Sequence, residues 1–180
     1  MKKIIKAFFK EIVPIIVGIL IALYINNWNE DRKDKNYIDQ ISTSIQNELT
    51  ESHKDIDKKL VQQKTLIDSL NFYLNDNQVA LDEIINKARG IYIPKIRINS
   101  WKAISNSKIE LMDYEKVSTL ADIEEQKELL LMKAEKLIDF IYSNYKETGK
   151  DKKEFMIIMM SEVISTEKSL QEDIGEIIKE

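Results

Sequence analysis

The chain has 180 residues, with 27 basic and 31 acidic side chains and a net charge of −4, so it lacks the basic surplus that bulk nucleic-acid binding requires. Cysteine is absent and histidine occurs once, which excludes disulfides, thiolate metal sites, cysteine nucleophiles and histidine-pair metal motifs. Four glycines and two prolines are too few for the recurrent tight turns of a β-sandwich or barrel. The composition therefore predicts a helical protein with little catalytic equipment.

The first predicted element is an apolar segment close to the N-terminus. Residues 12–25 carry no charge, and flanking aromatic residues extend the segment to residues 8–28, about the 20 residues that a membrane span needs. We expect Lys10 and Trp28 at the two membrane interfaces, the lysine by snorkelling and the tryptophan in an aromatic belt. Residues 12–28 are interpreted as a transmembrane signal-anchor helix. The alternatives are a cleaved signal peptide, which the residues after the segment disfavour because they lack a small-x-small pattern, and a buried soluble helix.

Charge and small residues refine this interpretation. Four lysines precede the segment and three basic residues follow it closely, so the positive-inside rule predicts a cytoplasmic basic tail over residues 1–11 and residues 29–180 outside the cytoplasm. Gly18 and Ala22 form a small-xxx-small pattern, which predicts a contact between two transmembrane helices. The alternative is a chance occurrence of small residues.

Residues 11–33, EIVPIIVGILIALYINNWNEDRK, resemble the opening of an uncharacterised family of small single-pass membrane proteins from Bacteroidota. The matching elements are Glu11-Ile12, GILIAL at residues 18–23 and INNWNE at residues 25–30, while Pro14 and Tyr24 depart from the family pattern. A weaker similarity covers WKAISNSKIELM at residues 101–112. The resemblance implies a bacterial inner-membrane anchor, hence a periplasmic helical domain, and implies no activity and no catalytic residues.

Beyond the span, the sequence predicts three long helices and two short ones. Proline is absent from residues 15–93, and an apolar stripe with the 3.6-residue period of an α-helix runs from Ile38 to Leu74. Ser52 and Gln63 are polar positions in that stripe. We expect them to be exposed to solvent; the alternatives are a register-setting contact, a polar cavity or a thin place in the helical packing.

The next predicted elements are a short helix over residues 79–88, stopped by Gly90, and an extended crossing segment over residues 91–98. A short helix around Trp101 follows, capped by Asn99 or Ser100. The last two are a long helix capped by Asp113, with Leu131 and Ile138 on its apolar face, and a final helix capped by Asp151. The predicted fold class is all-α, with an N-terminal transmembrane helix followed by an elongated antiparallel helical bundle of three long and two short helices.

Candidate chemistry is sparse. Glu124, Glu125 and Glu128 cluster on one predicted helix, where such glutamates are usually a solvated face. We therefore expect no catalytic residue, no cofactor and no metal, and keep a carboxylate-based enzyme as the minor alternative.

The run FMIIMM at residues 155–160 is apolar on every face of a helix. It indicates a candidate partner surface at Phe155, Met156, Met159 and Met160, with burial in the core as the more frequent outcome for such a run.

The function expected from these features is that of a membrane-anchored helical protein acting through protein–protein contacts, as a scaffold, an accessory subunit or a homo-oligomer. Its expected partners are the lipid bilayer and either another protein or a further copy of itself. The alternative is a periplasmic sensory bundle that binds a ligand. Such a bundle would signal through a separate partner, because residues 1–11 are too few for a signalling domain.

Overall fold

The computed structural model describes residues 2–179, with side chains from residue 10 onward. Within that range the chain forms helices and loops and no strand. The helices are α1 (Lys2–Phe72), α2 (Leu81–Lys87), α3 (Asn99–Ser105), α4 (Tyr114–Asn144) and α5 (Lys150–Lys179), with a short 3₁₀ turn at Ile109–Leu111. The predicted all-α class is confirmed.

The chain divides into two compact units, residues 1–42 and residues 43–180. The first unit contains the apolar segment, and Pro14 lies inside its helix. Among the described residues, α1 is the one helix long and apolar enough to cross a membrane, and none of its apolar window is buried. The chain therefore has one candidate membrane-spanning helix near its N-terminus.

The second unit contains an apolar core to which all five helices contribute. Its largest buried residues from the long helices include Leu49, Ile56, Leu66 and Leu70 of α1, Leu120, Ile123, Leu130 and Leu137 of α4, and Met156, Met160, Leu170 and Ile174 of α5. Helices α4 and α5 pack along each other. Apolar side chains recur in these helices about every 3.6 residues, so each helix turns one face to the core.

The predicted apolar face of α4 is partly wrong. Leu131 and Ile138 are exposed, whereas Leu130 and Leu137, one position earlier, are fully buried. Residues 129–131 are three consecutive leucines, so sequence alone does not fix which of them faces the core. The buried series at intervals of three and four residues fixes the phase of the helix.

The N-terminus of α4 is capped as predicted. The Oδ1 atom of Asp113 accepts the N–H groups of Glu115 and Lys116 at 2.9 and 3.3 Å. These bonds satisfy backbone donors that have no partner within the first helical turn.

Two other predicted caps are wrong. Helix α3 begins at Asn99, and its first-turn N–H on Ser100 donates to Glu48 Oε2 of α1 at 3.1 Å, so a carboxylate from another helix takes the place of a local cap. Helix α5 begins at Lys150, and the N–H groups of the first turn bond to the carbonyl of Gly149. Asp151 therefore lies inside the first turn.

Helix α2 ends in a Schellman motif. The Gly90 N–H bonds to the Ile85 carbonyl at 2.9 Å and the Arg89 N–H bonds to the Asn86 carbonyl at 3.0 Å. Arg89 holds the left-handed position, with φ 67°, and Gly90 follows with φ 111°. Gly90, the predicted stop, is part of this motif. The left-handed position, where glycine is usual, is occupied by Arg89 instead.

Candidate functional site

The crossing segment, residues 91–98, has no partner strand, and side chains of α1 bond to its backbone instead. The Tyr92 carbonyl accepts from Gln63 Nε2 at 2.8 Å, and the Lys95 N–H donates to Asp55 Oδ2 at 2.7 Å. The Arg97 N–H donates to the hydroxyl oxygen of Ser52 at 2.8 Å. Backbone groups that a sheet would satisfy are thus paired with a helix.

The expected solvent exposure of Ser52 and Gln63 is wrong. Both side chains are fully buried. The Ser52 hydroxyl donates to the Glu48 carbonyl at 2.8 Å while it accepts from Arg97, so both functions of the hydroxyl are used. Of the alternatives, the register-setting contact agrees with these bonds, because each polar position in the stripe meets a particular backbone group of the crossing segment.

Gln63 also bonds to α5 through a buried carboxyl group. Its Nε2 donates to Glu167 Oε1 at 2.7 Å, and Glu167 is fully buried. Burial raises the pKa of Glu167 to about 7, against a smaller lowering by the Gln63 hydrogen bond. The Oε2 atom of Glu167 and the Oε1 atom of Gln63 have no hydrogen-bond partner.

Sequence reasoning missed Glu167, although a signal was present. The buried residues Met160, Val163, Leu170 and Ile174 leave a gap at position 167 in a pattern with steps of three and four residues. A glutamate that fills such a gap faces the core. In a chain with 31 acidic side chains, one more glutamate on a helix does not stand out.

A second buried charge, Lys153, also went unrecognised. Its Nζ donates to the Tyr73 carbonyl at 3.0 Å and to the Asp76 carbonyl at 2.6 Å. These carbonyls lie just beyond the C-terminus of α1, where a helix has unpaired acceptors and a partial negative charge. Lys153 therefore has a structural role at this helix end.

The three glutamates of the predicted cluster lie in different surroundings. Glu124 accepts from Trp101 Nε1 at 2.7 Å and pairs with Lys102 at 3.3 Å, whereas Glu125 and Glu128 are exposed. Among the side chains of residues 10–179, no group of three or more His, Asp or Glu residues is placed to hold a metal ion. Glu124 thus satisfies a buried indole.

The residues predicted to contact the membrane or another transmembrane helix all have exposed side chains. Trp28 is exposed, as is Lys10 toward the other end of the segment. A methyl group built on Gly18 would meet nothing within 4 Å, and Ala22 is likewise exposed. Their roles at interfaces and in helix contact stay predictions.

The predicted partner surface on α5 divides into buried and exposed residues. Met156 and Met160 are fully buried and contribute to the core, so they are not available to a partner. Phe155 and Ile158 are 49% and 57% exposed. The buried and the exposed residues lie on different faces of α5, because successive positions of a helix point in different directions.

Phe155 and Ile158 border a groove between α4 and α5 of about 260 Å³, lined by Lys133, Lys136, Phe155, Ile158, Met159 and Glu162. We call this surface, with the neighbouring exposed residues Leu129 and Met132, the hairpin face. Lys133 Nζ lies 3.0 Å from Glu162 Oε2 and 2.9 Å from the Thr166 hydroxyl. The hairpin face therefore combines exposed apolar side chains with charges of both signs.

A second groove lies between α2, the crossing segment and the opposite flank of α4. Two adjoining spaces of about 330 and 300 Å³ share the residues Ile91, Ile141 and Tyr142. Ile85, Ile93 and Ile138 complete most of the apolar lining. We call this groove the isoleucine cleft.

At the rim of the isoleucine cleft, Asp82 Oδ2 lies 2.6 Å from Lys146 Nζ. This pairing lowers the pKa of Asp82 and raises the pKa of Lys146. Both groups are therefore charged at neutral pH and form an ion pair with each other.

No protein-family model matches the chain, and no curated protein or solved structure matches it.

Proposed function

We propose that the protein is a single-pass membrane-anchored helical protein that acts through protein–protein contacts, and that its partner is a second copy of the same chain bound at the hairpin face. The observation that carries the proposal is this face itself, where apolar side chains and charges of both signs are exposed on one surface.

The anchor is supported by the pattern of exposure along the first unit. Apolar side chains from Val13 to Trp28 are exposed on every side of the helix. Water would make such a surface unfavourable, whereas a bilayer covers it and leaves the helix backbone internally hydrogen-bonded. Lysines before this segment favour a cytoplasmic tail over residues 1–11 and a domain outside the cytoplasm over residues 29–180. The resemblance of residues 11–33 to the Bacteroidota family implies the inner membrane of a bacterium, and hence a periplasmic domain. Membership of the Bacteroidota family is part of the same proposal.

An antiparallel helical bundle in the second unit is supported by hydrogen bonds between α1 and α5. Four hydrogen bonds join α1 and the turn after it to α5, between residues 46 and 178, 57 and 171, 63 and 167, and 73 and 153. The residue numbers rise along α1 as they fall along α5, as expected of two antiparallel helices. Such a bundle presents α4 and α5 as a paired surface.

A second copy is the occupant favoured by charge. A contact with twofold symmetry uses the same surface on both copies, so a residue near the axis meets its own counterpart, and a contact between two different residues away from the axis occurs twice. Lys136 on α4 and Glu162 on α5 line the same groove, so the symmetric contact pairs opposite charges around the apolar centre. Two like copies anchored in one membrane also meet at high effective concentration.

The test is the mass of the full-length protein in mild detergent, measured by light scattering during size-exclusion chromatography. We expect a dimer that Ile158→Asp converts to monomer, because a carboxylate in the apolar centre loses its hydration. Val61→Asp is the matched control, since Val61 is an exposed apolar residue of α1 and is not among the residues that line the groove. A monomeric wild type, equal effects of both variants, or a different protein eluting in fixed stoichiometry would overturn the second-copy assignment.

The isoleucine cleft favours a second candidate function, a sensory domain that binds a small apolar ligand. Its volume and apolar lining fit ordinary ligand pockets. A thermal-shift screen should then find a stabilising compound whose effect disappears in Tyr142→Ser, a change at a 76% exposed side chain. A screen without hits would count against this function.

A further inference from the structure

The hydrogen bond between α1 and α5 leaves two oxygens unused in a fully buried place. Gln63 donates one N–H to the Tyr92 carbonyl and one to Glu167 Oε1. The unpartnered atoms are Oε1 of the same glutamine and Oε2 of the same glutamate. Two buried oxygens without a hydrogen between them are costly, and one proton would satisfy both.

We propose that Glu167 is protonated in the folded protein, that its Oε2–H donates to Gln63 Oε1, and that this reciprocal acid–amide pair is a pH-sensitive latch between α1, α5 and the crossing segment. When the latch opens, the proton passes from the carboxyl group to water and leaves a carboxylate in the core. Gln63 then keeps one hydrogen bond to the carboxylate, while its own Oε1 atom faces a group that has no proton to donate.

The latch joins three parts of the chain at one point. Gln63 lies on α1, Glu167 on α5, and the Tyr92 carbonyl belongs to the crossing segment. A rotation of the Gln63 amide in response to a charged Glu167 would therefore also disturb its bond to Tyr92. A change of protonation at one carboxyl group is transmitted to the backbone of another segment.

Several charged groups on the surrounding elements have partners other than Glu167. On α1, Lys59 Nζ lies 5.1 Å from the centroid of the Tyr92 ring of the crossing segment. From α4, Lys133 bonds to Thr166 and Glu162. Toward the next turns, Asp57 on α1 accepts from Gln171 and lies 3.4 Å from His53. Burial raises the pKa of Glu167, the Gln63 hydrogen bond lowers it, and no charged side chain is among the causes.

The direction of the pH effect follows from the two states of the chain. The pKa of Glu167 is about 7 in the folded protein and close to the ordinary 4.5 when the chain is unfolded. The stabilising contribution of the protonated carboxyl is complete below the unfolded value and falls as the pH rises to the folded value. Above that pH the contribution is lost and stays lost.

The experiment measures the chemical-denaturation midpoint of the full-length protein in detergent at about pH 5 and about pH 8, the two sides of this window. The variant is Glu167→Gln, whose amide donates to Gln63 Oε1 at every pH. We expect the wild-type midpoint to fall between the two pH values, and the variant to lose most of that fall. At the higher pH the variant should be at least as stable as the wild type. Glu172→Gln, an exposed change on the same helix, should keep the wild-type fall.

Two results would overturn the latch. A Glu167→Gln variant with the full wild-type pH dependence would place the titrating proton elsewhere, and a variant less stable than the wild type at the higher pH would show a structural carboxylate. If the variant does not fold, infrared spectroscopy of the wild type decides, since a protonated carboxyl has its own C=O stretching band. We expect that band at about pH 6, where ordinary surface carboxyls are ionised, and its loss by about pH 8; its absence at about pH 6 contradicts the proposal.

Discussion

Two stretches of the same helix, residues 13–28 and residues 45–70 of α1, distribute polar and apolar side chains in opposite ways. In the first stretch, apolar side chains such as Ile15, Leu20 and Ile25 are exposed. In the second stretch, apolar side chains such as Leu49, Ile56 and Leu70 are buried, together with the polar Ser52 and Gln63. Both stretches are α-helical, and Pro14 is the one proline in either of them. The two stretches therefore differ mainly in the surroundings that their side chains require.

The difference shows what a polar side chain does in each setting. Along residues 45–70, buried polar groups bond to the crossing segment and to α5, and so select which residues face each other. In the proposed membrane anchor, residues 13–28 need no such group, because the bilayer covers the apolar side chains and the helix satisfies its own backbone. Under that proposal the first stretch specifies a location, whereas the second specifies a tertiary arrangement.

The largest expected effect comes from adding a charge to an exposed apolar position in each stretch. Leu20→Lys should reduce the membrane-bound fraction strongly, because a lysine at the centre of a span costs about 3 kcal/mol on insertion. Val61→Lys is the matched control at an exposed position of the second stretch and should leave the membrane fraction unchanged. Cell fractionation with immunoblotting measures both. An equal distribution of the two variants would break the comparison.

The next effect concerns the buried lysine at the end of the second stretch. Lys153→Met removes two hydrogen bonds to carbonyls and should lower the free energy of unfolding by about 2.5 kcal/mol. Lys150→Met, a change in an exposed ion pair with Glu154, should cost less than about 0.5 kcal/mol. Denaturant titration of the full-length variants in detergent measures the two losses in unfolding free energy. If Lys153→Met is as stable as its control, the lysine does not hold the end of α1.

A smaller loss is expected when the hydroxyl of Ser52 is removed. Ser52→Ala leaves the Arg97 N–H without its partner and should cost about 1.5 kcal/mol. Ser161→Ala removes an exposed hydroxyl bonded only to its own helix, at the Ile157 carbonyl, and should be nearly neutral. Chemical-denaturation midpoints of the two serine variants measure the difference. Equal midpoints would mean that polar positions in the stripe do not fix the crossing segment.

The smallest expected effect is a gain in stability. Arg89 has φ 67°, so Arg89→Gly should relieve an unfavourable backbone conformation and stabilise the fold by about 0.5 kcal/mol. Glu83→Gly, inside α2, should instead destabilise by about 1 kcal/mol. Thermal unfolding, monitored by circular dichroism, shows whether each variant raises or lowers the melting temperature. Destabilisation by both changes would mean that the Arg89 side chain contributes more than its conformation costs.

Sequence periodicity predicted the all-α class and most of the helices, because helix formation depends on local spacing. It identified Ser52 and Gln63 as polar positions in an apolar stripe but predicted them to be exposed, because their hydrogen-bond partners lie in a segment far away in sequence. Glu167 escaped notice because its environment comes from α1, and charge alone suggests a surface residue. For residues 155–160 the sequence left a partner surface and burial in the core as alternatives, because a run that is apolar on every face does not show the phase of α5. The structure buries Met156 and Met160 and exposes Phe155 and Ile158.

The most direct test of the proposed self-association is cross-linking in native membranes, which the absence of cysteine makes clean. A single Ile158→Cys variant, treated with a short bis-maleimide, should give a covalent product of twice the chain mass. A Val61→Cys variant, at another exposed position, should give none. No product from Ile158→Cys, or equal products from both variants, would contradict a second copy at the hairpin face.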